Sequence, residues 1–204
     1  AVFEGTGFIP LSFELEAQAL ARAVVPVGSP QTCMIVDLGE TRTGLSIVSN
    51  GFVLFTSTIE IGGRHLNDAI MKYFSVSLEE AIARKEKYGI AGHADDEANL
   101  MVAVVGPLSA LQDEINKHYI FWGTHPYDDG TPRPAIDRLL LCGGEANMVG
   151  LVEYFTETLR VKVEKANPWV NITDFGKHIP DLTLSESLAY VTAFGLALGD
   201  TTYD

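Results

Sequence analysis

The chain has 204 residues, 47% hydrophobic and 20% charged, enough for a generous domain whose core needs neither disulfides nor metals. Its 27 acidic against 14 basic residues leave a net charge of -13, which excludes binding nucleic acid through a broad basic face. No apolar run approaches the ~20 residues that span a bilayer, so direct membrane insertion is not expected either. An anionic ligand would need a local site of backbone amides with one or two cations. The two cysteines, Cys33 and Cys142, sit in apolar strand-like runs, which points away from a disulfide framework or a four-ligand zinc site. A reducing, cytoplasmic setting is the expectation. The opening Ala1-Val2-Phe3 lacks an initiator Met, and the expectation is a piece of something larger.

Ser12 is placed to cap a first helix, with Glu14 and Glu16 in its first turn and Leu15, Ala19, Leu20, Ala23 and Val24 on one face. Pro26 and Gly28-Ser29-Pro30 end it. Residues 33–38 read as a buried strand and 44–48 as a second. Asn50-Gly51 is a favoured two-residue hairpin turn, so 45–49 and 52–57 should pair antiparallel. After Gly62-Gly63 the period becomes helical, with Leu66, Ile70 and Phe74 on one face; a second helix runs from Leu78 to about Gly89. Residues 89–97 form a polar loop with the acidic run Asp95-Asp96-Glu97. A long helix spans about 99–121, kinked or started at Gly106-Pro107. Residues 122–134 are a Gly-, Pro- and Asp-rich surface excursion. A strand at 138–142, a helix at 146–159, a strand at 161–163 and a closing apolar helix at 185–198 complete the chain. This order predicts an α/β domain with a mixed sheet.

Three glycine-bearing turns can hold an anion. The first, Asp37-Leu38-Gly39-Glu40-Thr41-Arg42-Thr43, lies where one buried strand ends and the next begins. Its amides could form an anion-binding nest, with Asp37 holding Mg²⁺ through water, or it is a plain Asx-type hairpin turn. The second, Cys142-Gly143-Gly144-Glu145, joins a strand to an expected helix, whose N-terminus would face a ligand. Glu145 there is also what an ordinary first helical turn favours. The third, Ile61-Gly62-Gly63-Arg64, repeats the arrangement. None has the spacing of a Walker loop or a dinucleotide fingerprint. The five histidines show no ligand spacing, and Asn171-Ile172-Thr173 matches a glycosylation acceptor that means nothing in a cytoplasmic chain.

Taken in order, DLGETRT, the Asn-Gly hairpin, IGGRHLNDAI, ARKEKYG and LLLCGGEANMVGLVEYF resemble the actin-like ATPase superfamily. Within it the chain is more similar to the PilM family of type IV pilus assembly proteins than to the FtsA family. The resemblance runs from Phe13 to Gly199. It implies an α/β, RNase H-like actin-fold lobe, largely lobe II of a two-lobed ATPase. Residues 1–30 would then be a remnant of lobe I with the connecting helix, 31–184 lobe II with a helical subdomain at about 64–122, and 185–204 a C-terminal helix returning towards lobe I. It implies ATP and Mg as cofactors, with Asp37 holding the metal's water shell and Glu16 positioning the attacking water. Gly39, Glu40, Thr41, Arg42 and Thr43 would hold phosphates, while Lys85, Gly143, Gly144 and Glu145 would line the adenosine site. The family places a Glu three residues before this Lys, where the chain has Ile82, and the first phosphate loop has no counterpart upstream of Phe13. The implied activity is at most a slow ATPase. The implied function is a cytoplasmic scaffold reached by the tail of a PilN-like membrane protein at a groove mostly on the missing lobe, with self-association possible. Two alternatives stand beside it: a non-catalytic actin-like interaction module that has lost its nucleotide, and an FtsA-like cell-division protein.

Overall fold

The computed structural model describes residues 3–7, 9–10, 13–91, 100–172 and 179–199. The expected Ser12 cap, the acidic run at 95–97, and Thr173 of the glycosylation match fall outside those residues.

The chain begins with helix α1 (Glu16–Val24) and then forms three antiparallel strands, β1 (Thr32–Leu38), β2 (Thr43–Ser49) and β3 (Phe52–Ile59). Asn50 and Gly51 take φ of 51° and 81°, the left-handed pair that a two-residue hairpin requires. Three helices follow: α2 (Gly63–Phe74), α3 (Leu78–Tyr88) and α4 (Leu100–Thr124). The chain then re-enters the sheet through β4 (Arg138–Cys142), which lies parallel to β1 with Asp37 opposite Cys142. After a 3₁₀ turn at Gly144–Asn147 come α5 (Leu151–Leu159), β5 (Val163–Lys165), and the short helices α6 (Leu184–Ser187) and α7 (Val191–Ala197).

The sheet order is β3-β2-β1-β4-β5. The antiparallel meander β3-β2-β1 is thus extended by two parallel strands, each reached through a helical crossover. β1 sits in the centre, and its Cys33, Met34, Ile35 and Val36 are almost wholly buried, which is why the run carries no alternation. α1 packs on β2 and β3 and crosses α7, whereas α2, α3 and α4 form a separate helical group. Arg22 of α1 pairs with Glu14, two residues before the helix begins, and donates to the Gly195 carbonyl of α7 at 2.6 Å.

The structure departs from the expected elements at four places. The helix expected at 146–159 breaks: Gly150 adopts φ 86°, a conformation costly for other residues, and α5 starts only after it. The closing helix at 185–198 is two short helices joined by a 3₁₀ turn, opened by the capping box of Thr183 and Glu186. The strand expected at 161–163 lies two residues later. Trp122, placed in a surface excursion, ends α4 in the core, where its indole N–H donates to the Pro134 carbonyl at 2.7 Å.

Candidate functional site

Asp37 is the next-to-last residue of β1, the central strand, so its carboxylate lies at the C-terminal end of the strand beside other chain segments. The Gly143 backbone crosses so close that a Cβ there would meet the Leu38 carbonyl and lie 2.6 Å from Asp37 Oδ1, and its φ is 86°. Both facts demand glycine at that position. The Cys142 thiol approaches Asp37 Oδ1 at 3.8 Å, and Glu16 comes from the start of α1. Burial first, and the Glu16 carboxylate second, push the Asp37 carboxyl above its usual range. The charge of the exposed Glu16 thus adds to the cost of ionising the half-buried Asp37, a cost that a nearby cation relieves.

The turn after Asp37 is strapped to α2. The Gly39 N–H donates to the Arg42 carbonyl at 3.1 Å, closing the hairpin; the Gly63 and Arg64 N–H groups donate to the Gly39 and Glu40 carbonyls at 3.0 and 2.7 Å. Because a trans peptide aims its N–H opposite to its C=O, the amides of Glu40 and Thr41 point away from α2. The same bonds consume the first amides of α2, so Ile61-Gly62-Gly63-Arg64 serves as a strap and not as an anion site of its own.

Beside this turn a cleft of about 530 Å³ opens between the sheet and the helical group. It is lined by Glu40, by Ile82, Lys85 and Glu86 of α3, by Gly144, Glu145 and Met148 after β4, and by Asn67 of α2. Lys85 is 5% exposed, and its ammonium lies 2.7 and 2.9 Å from the two Glu145 carboxylate oxygens. Gly63 admits this pair, because a side chain there would collide with the Glu145 carboxylate. Gly144, by contrast, would meet nothing within 4 Å if it carried a Cβ, so its missing side chain leaves open space on the cleft.

The predicted site residues therefore divide. Asp37, Glu16 and Gly143 converge at the end of the sheet, and Glu40, Lys85, Gly144 and Glu145 meet in the cleft. Thr41 and Arg42 are exposed on the turn, outside the cleft lining. Thr43 is turned inward, with no exposure, and its hydroxyl donates to the Ile61 carbonyl at 2.7 Å, so its side chain faces no ligand. The expected helix N-terminus behind Gly143-Gly144 is a single 3₁₀ turn, too short to present a helix dipole. Asn67, Glu86, Met148 and Glu186 line the cleft without having been singled out. The signal for Asn67 was present: it interrupts the buried stripe of Leu66 and Ile70 with a polar side chain. Among the described residues, no group of three or more His, Cys, Asp or Glu side chains is placed to hold a metal by itself, and no helix is long and apolar enough to cross a membrane.

The sheet order, the strapped turn after the central strand and the cleft between sheet and helical group define an actin-fold lobe. A solved PilM–PilN type IV pilus biogenesis complex superposes with a TM-score of 0.73 at 23% identity, covering 95% of this chain and 54% of that one. MreB5 of Spiroplasma citri bound to ADP superposes at 0.71 with 16% identity (98% and 63% covered), and the ethanolamine utilization protein EutJ from Carboxydothermus hydrogenoformans at 0.64 with 22% (97% and 59%). The chain thus spans between half and two thirds of these proteins. Residues 11–201 match the family described as type IV pilus assembly protein PilM, and the chain belongs to that family.

Proposed function

We propose that this chain is the nucleotide-binding lobe of a cytoplasmic actin-fold scaffold for type IV pilus assembly, and that its cleft takes ADP or ATP with Mg²⁺. The observation that carries this reading is that Gly143, whose backbone crosses against Asp37, leads directly into Gly144, which leaves open space on a cleft large enough for a nucleotide, with Glu40 of the turn after Asp37 on the same cleft. The residues fit the cofactors. A hydrated Mg²⁺ is matched by a half-buried carboxylate whose charge is held back by burial and by a second carboxylate; phosphate oxygens are matched by the Glu40 and Thr41 amides, with Arg42 on the same turn. Magnesium, when bound, would neutralise phosphate charge. Glu16, whose Oε1 lies 3.5 Å from the Thr192 hydroxyl, is positioned by α1 and α7 to orient a water. Phosphoryl transfer needs charge neutralisation on all sides of the phosphates, so hydrolysis by this lobe is expected to be slow at most.

Residues 31–184 would form the lobe proper, with residues 1–30 and the closing helices packing towards a second lobe. A PilN-like cytoplasmic tail is the proposed partner, since the matched complex contains PilN. One observation favours the reading as a ligand-free interaction module: Glu145 already neutralises Lys85, the only cation lining the cleft among the described residues.

Isothermal titration of Mg-ADP and Mg-ATP into the chain separates these readings. Binding in the micromolar to millimolar range that disappears in Asp37→Ala and in Gly144→Val supports the nucleotide site. A folded chain that takes up neither nucleotide moves the assignment to the interaction module.

A further inference from the structure

The cleft's chemistry is lopsided. Glu40, Glu86, Glu145 and Glu186 line it, and the one ammonium among them, Lys85, is already paired. Such walls repel phosphate and accept hydrogen bonds. If the site holds a nucleotide, as proposed above, the end that enters the acidic part is the uncharged nucleoside, with the phosphates left at the turn after Asp37.

Asn67 supplies the second, independent observation. It is 6% exposed, it lines the cleft, and its Oδ1 has no hydrogen-bond partner. Two other buried polar atoms lack partners among the described residues, Ser46 Oγ and Arg138 Nε, and neither belongs to the cleft. Gly63 and Asn67 are one helical turn apart, so both lie on the same face of α2. Gly63 lies against the Glu145 carboxylate, so Asn67 stands one helical turn along α2 from the Lys85–Glu145 pair, on the same cleft. A buried acceptor without a partner is disfavoured by folding and persists where a ligand completes it.

The chemistry of that ligand atom follows from the amide. A carboxamide presents an acceptor and a donor side by side, and the atom that satisfies either end is a hydroxyl, which donates and accepts. A phosphate oxygen only accepts and would face Glu40, Glu86 and Glu186, three carboxylates that no ammonium pairs among the described residues.

We infer that Asn67 is a specificity-determining residue that binds a ribose hydroxyl of the nucleotide, so that the cleft selects ribonucleotides over their deoxy forms. The inference rests on the nucleotide reading, and it also accounts for how a chain with Ile82 on the facing helix can grip a sugar: the polar group comes from α2 instead.

The test is titration of Mg-ADP, 2′-deoxyADP and 3′-deoxyADP into the wild-type chain, Asn67→Leu and Asp37→Ala. The wild type is expected to bind at least one deoxy analogue about tenfold more weakly than ADP, the loss of one hydrogen bond to a buried partner. Asn67→Leu should bind ADP about tenfold more weakly and no longer distinguish it from that analogue. A purely structural role would weaken all three ligands alike and leave the discrimination intact, which would overturn the assignment. So would an Asn67→Leu chain that keeps its ADP affinity while Asp37→Ala loses it, a result that leaves the nucleotide site standing. Absence of ADP binding by the wild type would remove the nucleotide reading and this inference together. If Asn67→Leu fails to fold, Asn67→Ala carries the same comparison.

Discussion

Lys85 and Glu145 illustrate how one contact can serve stability and restrain function. Their charges come from α3 and from the turn after β4, so the pair ties the helical group to the sheet across the cleft. With side chains 7% and 19% exposed, each would be stranded without the other. Glu145→Ala should therefore cost about 3 kcal/mol in urea denaturation, most of it from the uncompensated ammonium, whereas the double replacement Lys85→Met/Glu145→Met should be close to neutral. A single-variant cost below about 1 kcal/mol would mean that solvent screens the pair after all. Asp37 makes the opposite kind of contribution. Burial and the Glu16 carboxylate raise its pKa in the fold above the usual 3.8, so the folded chain keeps a proton that the unfolded chain has released. Stability consequently falls as pH rises from about 3.8 through the raised value and stays lowered at neutral pH. Asp37→Asn should then melt above the wild type at pH 7, with the gap closing towards pH 3.8. A gap independent of pH would show that the carboxylate's charge is not what burdens the fold.

At the scale of elements, the crossing of α1 and α7 sets where Glu16 stands. Gly195 lies against the Ala19 backbone, and any side chain there would overlap the Ala19 carbonyl. Gly195→Ala must push the helices apart, at a cost of about 2 kcal/mol in thermal or urea denaturation. It should also weaken Mg-ADP binding by moving Glu16 away from Asp37, and unchanged binding in a destabilised chain would separate Glu16 from the site. This crossing shows what the sequence disclosed and what it hid. The apolar pattern marked a helix at 185–198, but no local pattern named α1 as its partner. The meander and Asp37's place at the end of β1 were legible because turn chemistry and buried apolar runs act over a few residues. The breaks at Gly150 and Tyr190 were not, because the apolar spacing continues through them while the backbone does not. Asn171 is a similar case: read as a glycosylation match, it closes the C-terminal end of α1, its amide donating to the Arg22 and Val25 carbonyls at 2.8 and 2.7 Å. Lys85 and Glu145 were each visible, but a partnership across 60 residues is written only in the fold.

The whole molecule adds a field that no single contact reports. With a net charge of -13 and four carboxylates on the cleft wall, a nucleotide approaches against repulsion, and local amides with Arg42 must outweigh it. Salt screens long-range repulsion before it weakens hydrogen bonds at contact distance. Raising ionic strength from about 0.01 to about 0.1 M shortens the screening length from roughly 30 to 10 Å. Affinity for magnesium-free ADP should therefore rise over that range, the reverse of the behaviour of a basic anion site. Magnesium should strengthen binding most at the low end, where the repulsion it cancels is largest. Calorimetric titrations across the series, with and without magnesium, read both effects. An affinity that falls with salt would instead mean that Arg42 governs the encounter despite the acidic field, and Arg42→Gln would then remove the salt dependence.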